Sequence, residues 1–214
     1  GGTTSYSIAG YDSDGTYSQF REAVMGCWGA GAEREGIDGV ANPAANISNA
    51  PIEAVENSAP IRVERYELVA DSGGAGEWRG GLAVRRELRY LGESARLQLR
   101  SDRRDHPPFG INGGDPGKPS ANLFDTGEEW VELPTKFVHP LRNGQAIRHT
   151  TAGGGGYGDP YTRPTAKVLA DVRDGKVSQE AAARDYGVAV SGPPWRIDKA
   201  ATNTLRQRRC ENGK

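Results

Sequence analysis

Apolar and polar side chains alternate most regularly between residues 82 and 100. Even positions carry Leu82, Val84, Leu88 and Tyr90, whereas odd positions carry Arg85, Glu87 and Arg89. After a turn at residues 91–94, Ala95, Leu97 and Leu99 alternate with Arg96, Gln98 and Arg100. A period of two residues is typical of a strand with one buried face. The pattern therefore predicts an antiparallel hairpin with one solvent-exposed face.

Other segments extend this β-rich prediction. A strand opens at Tyr6, Ile8 and Ala9 before a turn at residues 12–15, and another is predicted over residues 61–70. Short strands are predicted at residues 129–133 and 146–150. The pattern at residues 17–25 fits a strand or a helix, so that choice stays open.

Glycine and proline mark the loops. We expect loops at residues 71–76 and 101–122, and long ordered loops in compact domains are often functional. Gly153–Gly156 is a run of four glycines that cannot form the middle of a strand or helix.

Two short helices are predicted over residues 164–187. Pro164 suits a helix start and Gly175 a stop, with Val168, Leu169 and Val172 on one apolar side. Ser178 can cap the second helix and Gly187 can end it. The fold class is α+β and β-rich, with antiparallel strands, long Gly/Pro-rich loops and a short helical C-terminal segment. We expect residues 1–190 to form one structural unit, which is β-rich to about residue 160. Residues 191–214 are expected to form a basic tail, which is either loose or a short helix from Asp198.

Composition and charge exclude several classes of protein. The 214 residues carry 27 Lys+Arg and 28 Asp+Glu, a net charge of −1 that gives no case for nucleic-acid binding. The longest stretch without polar side chains, residues 23–32, is too short to span a bilayer. Cys27 and Cys210 fit neither a disulfide scaffold nor a CxxC zinc site, so a reducing cytoplasm is the expected location. The start at Gly1, with Met25 as the only methionine, indicates a processed piece or a fragment.

A series of motifs resembles the C-terminal part of the hydantoinase B/oxoprolinase family, over roughly residues 5–190. The motifs are Gly26–Ala30 with Asp38-Gly39; Asn49–Glu53 with Glu56; Arg62–Leu68; Asp71–Gly76 with Trp78–Gly81; Ser101–Arg104 with Pro107–Gly110 and Gly113-Gly114; Gly153–Pro160; and Asp171-Val172 with Tyr186–Val188. Each motif alone is weak, but their common order is specific.

The resemblance implies a function. Family members open cyclic amides such as hydantoins, 5-oxoproline or lactams at the cost of ATP, and related enzymes carboxylate ketones such as acetone or acetophenone. The first hypothesis is that this chain is the C-terminal piece of the B-type subunit of a heteromeric cyclic amide hydrolase, inactive alone. The second is a ketone carboxylase subunit, and the third is a scaffold or interface subunit without catalytic residues.

The resemblance also implies cofactors and partners. ATP and Mg²⁺ are expected on a partner A-type chain, and a divalent metal is expected in the N-terminal B-type part, which this chain lacks. His106, His139 and His149 have no partner at a metal-motif spacing, so we expect no metal site wholly within this chain. The expected partners are that N-terminal part, the A-type subunit and a small-molecule substrate, with no nucleic acid and no membrane.

Four residues are the candidate catalytic groups, each with a structural alternative. Asp102, Arg103 and His106 lie in the densest polar cluster of the sequence, which either pins a loop or binds a carboxylate or phosphorylated intermediate. Asp38 follows a glycine-rich segment, where a carboxylate is either a base, a support for a metal or part of a solvated turn.

The candidate substrate or interface residues are Arg34, Arg104, Gly153, Gly154, Gly155, Gly156 and Tyr157. The glycine run lacks the Lys-Ser/Thr pair of a P-loop and is followed by Asp159-Pro160, so a tight structural turn is favoured over a ligand cradle. Cys27 is expected to be a packed thiol, and His139 and His149 ordinary histidines.

Overall fold

Two antiparallel sheets carry most of the chain in the computed structural model, which describes residues 3–12, 14–42, 45 and 47–211. The strands are β1 (Thr3–Tyr11), β2 (Tyr17–Met25), β3 (Ile61–Val69), β4 (Ala83–Tyr90), β5 (Ser94–Arg100), β6 (Ala121–Asp125), β7 (Trp130–Glu132), β8 (Lys136–Arg142), β9 (Ala146–Thr150), β10 (Val190–Ser191) and β11 (Arg196–Ile197). The helices are α1 (Ile52–Ser58), α2 (Thr165–Arg173), α3 (Gln179–Tyr186) and α4 (Lys199–Glu211), with a 3-10 turn at Pro160–Thr162. Ser13 of the predicted turn, the first two residues and Asn212–Lys214 of the predicted tail lie outside the described residues.

The two sheets pack face to face. The four-stranded sheet has the order β2-β1-β5-β8, and the five-stranded sheet has the order β3-β4-β9-β6-β7. Their inner faces share one apolar core, which includes Ile8, Val24, Leu88, Leu97, Phe124, Leu141 and Ile147. The predicted class, α+β and β-rich, is confirmed, and residues 17–25, left open by the pattern, form a strand.

The predicted hairpin between β4 and β5 is wrong. Both strands exist, but Leu88 of β4 pairs with Val63 and Ile147 in the five-stranded sheet. Leu97 of β5 pairs with Ile8 and His139 in the four-stranded sheet. Residues 91–93 therefore carry the chain from one sheet to the other, because the apolar faces of both strands are buried when they oppose each other across the core.

The predicted solvent-exposed face of β4 is also wrong. Glu87 is only 5% exposed, because Arg148 and Arg65 cover it at 2.7 and 3.6 Å. Arg86, on the inner side of the strand, is fully buried and lies 2.6 Å from Glu22. Charge pairing thus buries Glu87 and Arg86 on the two sides of this strand, while the outward Arg85 and Arg89 side chains stay partly exposed.

Three helices follow the sheets. The predicted limits of α2 and α3 are confirmed: the Ser178 hydroxyl accepts a hydrogen bond from the Ala181 amide at 3.1 Å, and Gly187 ends α3 at a φ of 61°. A small apolar core joins them through Val168, Val172 and Tyr186. Within the basic tail, residues 199–211 form α4, and the Asp198 carboxylate accepts a hydrogen bond from the Ala201 amide at 3.0 Å at its start. Among the described residues, no helix is long and apolar enough to span a bilayer.

Glycine-rich segments pack backbone against backbone beside the sandwich. A Cβ atom at Gly153, Gly154, Gly155 or Gly156 would fall below 3.0 Å from a backbone oxygen of Ser72, Trp28, Phe109 or Ala75, respectively. Real Cβ atoms do not approach backbone so closely. The absence of side chains at these four positions is therefore a condition for this packing.

Candidate functional site

A pocket of about 180 Å³ opens where three glycine-rich or proline-rich segments meet. Its walls come from residues 27–30, 103–111 and 152–156: Cys27, Gly29, Ala30, Arg103, Pro108, Phe109, Ile111, Ala152 and Gly153–Gly156. Two sets of residues singled out from the sequence, Arg103 and the glycine run, thus lie at one pocket. We call it the glycine pocket.

Backbone hydrogen bonds fix the three walls relative to one another. The Ala30 amide donates to the Gly155 carbonyl at 2.9 Å, and the Ile111 amide donates to the Gly156 carbonyl at 2.9 Å. The Ser120 amide and hydroxyl donate to the carbonyls of Arg103 and Asp102 at 3.2 and 2.6 Å. These bonds hold Arg103 at a φ of 67°, a backbone conformation that L-residues rarely adopt.

Arg103 and Arg104 differ although they are adjacent. Arg104 donates to the Leu133 carbonyl at 2.9 Å and pairs with Glu132 at 2.8 Å, so it anchors its loop to β7. In contrast, the Arg103 guanidinium makes no ion pair or hydrogen bond with any side chain or carbonyl in the described part of the chain. A guanidinium presents five donors in a planar fork suited to carboxylate and phosphate. Arg103 is therefore the cation available to an anionic ligand at the glycine pocket.

The glycine run supplies one further donor. The amides of Gly153, Gly154 and Gly156 donate to the carbonyls of Lys118, Gly81 and Asp115 at 2.8–2.9 Å. No such bond from the Gly155 amide joins it to another described residue. Because three of the four amides are committed, the run does not fit the cradle that a nucleotide's phosphates require. One remaining amide in the pocket lining can serve at most one oxygen of a smaller anion.

Cys27 lies in the wall of the pocket as a protonated thiol. Its Sγ donates to the Ala152 carbonyl at 3.4 Å, and burial raises its pKa to about 11. The thiolate is the nucleophilic form of cysteine. At neutral pH the thiolate fraction is therefore small, and the side chain packs the pocket wall.

The other predicted residues lie elsewhere. Asp102 and His106 are exposed on the same loop as Arg103 but do not line the pocket. The Arg34 guanidinium stacks over the Trp28 ring, 5.6 Å from its centre. Tyr157 exchanges backbone hydrogen bonds of 3.0 Å with Trp78 at the far end of the glycine run.

Asp38 belongs to a charge cluster in which Arg79, Arg163 and Asp171 are buried, whereas Glu35 and Asp38 are partly exposed. Asp38 accepts from the Leu82 amide at 2.7 Å and lies 3.8 Å from Arg79. Arg163 is 3% exposed and lies 2.8 Å from Asp171 and 2.9 Å from Glu35. The Asp38 carboxylate therefore holds the backbone at Leu82 and lies beside the buried Arg79 guanidinium.

The described residues offer no metal site. No group of three or more His, Cys, Asp or Glu side chains among them is placed to hold a metal ion. His149 is buried between Thr4 Oγ1 at 2.8 Å and Asn122 Oδ1 at 2.7 Å, and burial lowers its pKa to about 3. It is a neutral, hydrogen-bonded core residue.

Several residues of these two sites were not identified from the sequence. Phe109 and Ile111, 72% and 49% exposed, form an apolar rim on the glycine pocket. An exposed aromatic residue within a Pro/Gly-rich loop is a usable signal for such a rim. The pairing of Arg163 with Glu35 joins residues 128 positions apart, and no local pattern reveals it.

Comparison with known proteins places this chain among the hydantoinase B and oxoprolinase proteins. The model of a family described as Hydantoinase B/oxoprolinase matches residues 1–160. A protein of Pseudomonas sp. (strain NS671), provisionally named as the B subunit of a D-/L-hydantoinase, is 33% identical over 198 residues, which are 91% of this chain and 33% of that protein. The beta subunit of the caprolactamase of Pseudomonas jessenii is 34% identical over a gapped alignment of 223 positions, which covers 96% of this chain and 37% of the relative.

Solved structures agree with this result. The crystal structure of the ATP-dependent caprolactamase from Pseudomonas jessenii matches 94% of this chain and 37% of that chain, with a TM-score of 0.77 and 29% identity. A nucleotide-free acetone carboxylase matches 98% of this chain and 33% of that chain, with a TM-score of 0.80. At 19% identity, the second match shows a common fold alone. This chain spans about a third of the length of these relatives.

Proposed function

Because the chain belongs to the hydantoinase B/oxoprolinase family, we propose that it is the C-terminal piece of a B-type subunit in a heteromeric, ATP-dependent cyclic amide hydrolase. The observation that carries this proposal is the similarity to the caprolactamase beta subunit over 96% of the chain. The solved caprolactamase is named as ATP-dependent. Nucleotide and metal chemistry belong, in this proposal, to parts of the assembly other than these 214 residues.

The glycine pocket is the place where this chain would meet the substrate. At about 180 Å³ it is smaller than the roughly 300–1,000 Å³ of pockets for drug-sized ligands, so it suits a small ring or a fragment of one. Its apolar rim of Phe109 and Ile111 can contact ring carbons. Arg103 and the Gly155 amide would bind the anionic oxygens.

Arg103 would act on charge that the reaction creates. Hydrolysis of a lactam ring breaks the C–N bond and adds water, leaving a carboxylate and an amine; hydrolysis of a hydantoin ring leaves a carboxylate and a carbamoylated amine. Phosphorylation of an amide oxygen likewise places negative charge at that end of the molecule. A donor aimed at developing negative charge lowers the barrier most in a site with little water. Arg103 would therefore serve as an electrostatic group, while water activation falls to groups outside this chain.

The test is an activity assay on the whole assembly. The complex is purified through a tag on this chain, and ADP release is measured with ε-caprolactam, 5-oxoproline and hydantoin. We expect ATP-dependent ring opening of at least one of them. We also expect Arg103→Gln to lower kcat/KM by about 10- to 100-fold, because a hydrogen bond to a charged group contributes about 1.5–3 kcal/mol.

Lys118→Gln is the matched control. It removes one exposed positive charge close to the same loop but outside the pocket, and should leave kcat/KM unchanged. Incorporation of labelled bicarbonate into acetone or acetophenone, without ring opening, would move the chain to the carboxylase branch. An intact, active assembly that tolerates Arg103→Gln would make this chain a scaffold.

A further inference from the structure

The outer face of the four-stranded sheet has an unusual charge distribution. The register places four rows of side chains across this face: Ala23, Ser5, Arg100, Lys136; Arg21, Ser7, Gln98, Val138; Gln19, Ala9, Arg96, Pro140; and Tyr17, Tyr11, Ser94, Arg142. Five of these side chains are basic and none is acidic. We call this surface the basic sheet face.

The five-stranded sheet provides an internal comparison. Its outer face also carries many arginines, but each of Arg62, Arg85, Arg89 and Arg148 pairs with a glutamate of the same face at 2.7–3.0 Å. Glu64 joins two of them, and those hydrogen bonds lower its pKa. On that face, glutamates of the same sheet therefore neutralise these four arginines, and no charge from another protein is needed.

The basic sheet face lacks such compensation. In the described part of the chain, none of Arg21, Arg96, Arg100, Lys136 and Arg142 takes part in an ion pair, and all five side chains are exposed. Arg100 and Lys136 are direct cross-strand partners. Like charges directly opposite each other on neighbouring strands are destabilising. Negative charge from outside the chain would remove this cost.

The face is also shaped to receive a protein segment. Between residues 5 and 9, β1 presents only the small side chains of Ser5, Ser7 and Ala9 on this face, so a trough of about 480 Å³ runs between Arg21 and Arg100. Glu22 also lines the trough, but its carboxylate is already paired with the buried Arg86 at 2.6 Å. A second depression, of about 390 Å³, lies between β5 and β8 beside Lys136. The side chains of Tyr17 and Val138, which are 57% and 54% exposed, add apolar contact area. Basic edges around a shallow trough lined by small side chains fit an acidic strand or loop.

We propose that the basic sheet face is the docking surface for an acidic surface of the B-type subunit, in the part of that subunit that these 214 residues do not contain. The inference rests on the heteromeric assembly proposed above. Relatives extend over about three times the length of this chain, so a large protein surface is available to cover the face. The whole chain has a net charge of −1, so the local excess of five positive charges is not a general basicity of the kind that binds nucleic acid.

The first experiment maps the contact in the purified assembly. A carbodiimide activates carboxyl groups and joins them to amines by a zero-length amide bond, with loss of water, so it links only ion-paired Lys and Asp/Glu side chains. After digestion and mass spectrometry, we expect Lys136 to be linked to an Asp or Glu of the remaining B-type subunit. Lys136→Arg should abolish this linkage and leave linkages of the other lysines in place.

The second experiment measures the energetic effect. Arg21→Gln/Arg100→Gln/Lys136→Gln removes three charges from the basic sheet face, and Lys118→Gln/Lys199→Gln/Arg208→Gln removes three exposed charges elsewhere. At about 0.1 M salt, the first variant should dissociate from the assembly with a Kd at least about tenfold higher, or about 1.4 kcal/mol. The control variant should remain within about twofold of the unmodified chain, given that unpaired surface charges contribute little.

Several results would overturn the proposal. These are linkage of Lys136 only to the A-type subunit or to a second copy, release of the bound material by nuclease, or equal affinities of the two triple variants. Ring-opening activity of the unmodified assembly is measured in parallel. Activity without a Lys136 linkage overturns the docking surface alone, and a Lys136 linkage in an inactive assembly overturns the hydrolase function alone. Failure to find any partner overturns both.

Discussion

Gly153→Ala tests the backbone packing of the glycine run. The new Cβ atom would lie below 3.0 Å from the Ser72 carbonyl oxygen and carbon, and both belong to backbone that cannot rotate away. The segments must separate to admit the methyl group. Separation strains the hydrogen bonds from the Gly153 amide to the Lys118 carbonyl at 2.9 Å and from the Gly154 amide to the Gly81 carbonyl at 2.8 Å.

The magnitude follows from these contacts. Overpacking of a tight interior costs about 1–3 kcal/mol, and each of two weakened backbone hydrogen bonds adds about 1 kcal/mol. We therefore expect Gly153→Ala to lower the free energy of unfolding by about 3–5 kcal/mol. Domains are stable by only about 5–15 kcal/mol, so this variant should be close to unfolding at 37 °C.

Urea unfolding, followed by tryptophan fluorescence and circular dichroism, measures the effect. Gly31→Ala is the control, because its Cβ would meet only the flexible Arg34 side chain, at 3.7 Å. That variant should stay within about 1 kcal/mol of the unmodified chain, since alanine mainly restricts the unfolded state. If Gly153→Ala unfolds within about 1 kcal/mol of Gly31→Ala, the segments are not packed as tightly as described.

Three further predictions concern other residues. Asp171→Ala leaves the buried Arg163 guanidinium without the carboxylate 2.8 Å away, so the free energy of unfolding in urea should fall by about 3–5 kcal/mol; a loss below about 1 kcal/mol would show that the pair is solvated. Cys27 should react slowly with iodoacetamide at pH 8, because a pKa of about 11 leaves about a thousandth of the thiol ionised; peptide mass spectrometry should show a rate rising about tenfold per pH unit, and rapid alkylation of the folded chain would contradict this. Burial lowers the pKa of His149 to about 3, while unfolded histidine titrates near about 6.5, so the unfolded chain binds the proton first. The free energy of unfolding should therefore fall as pH drops from about 6.5 towards 3, by up to about 1.4 kcal/mol per unit. His149→Gln should reduce that slope between about pH 5 and 6.5, and the same slope in His149→Gln and His139→Gln would refute the assignment.

Local chemistry predicted the local elements well. The cap at Ser178 and the stops at Gly175 and Gly187 depend on side chains and φ angles within one turn of each helix, so the sequence contains the needed information. The alternation in β4 and β5 likewise identifies two strands. Their partners do not follow from it, because alternation specifies which side chains share a face and not which strand lies alongside.

The site also depends on contacts between distant segments, which the sequence does not reveal. Arg103 and the glycine run are both identified, but long-range backbone hydrogen bonds, such as that from the Ile111 amide to the Gly156 carbonyl, bring their segments to one pocket. The position of Asp38 after a glycine-rich segment marks it as a candidate. The sequence does not reveal that its partner is Arg79, which stands out only as part of the motif at residues 78–81. A carboxylate that balances a buried arginine and a free catalytic base look the same in a sequence, because the distinction depends on the groups that surround them.

The position of β9 has a consequence for how the chain folds. This strand lies between β4 and β6 in the five-stranded sheet, although it comes after both in the sequence. β3 and β4 can pair early, but β6 and β7 can join them only after residues 146–150 have been synthesised. Pairing between distant segments is slow, with folding times of milliseconds to seconds for sandwiches. During synthesis the free edge of β4 is exposed to other chains, and this interval is when aggregation is most expected.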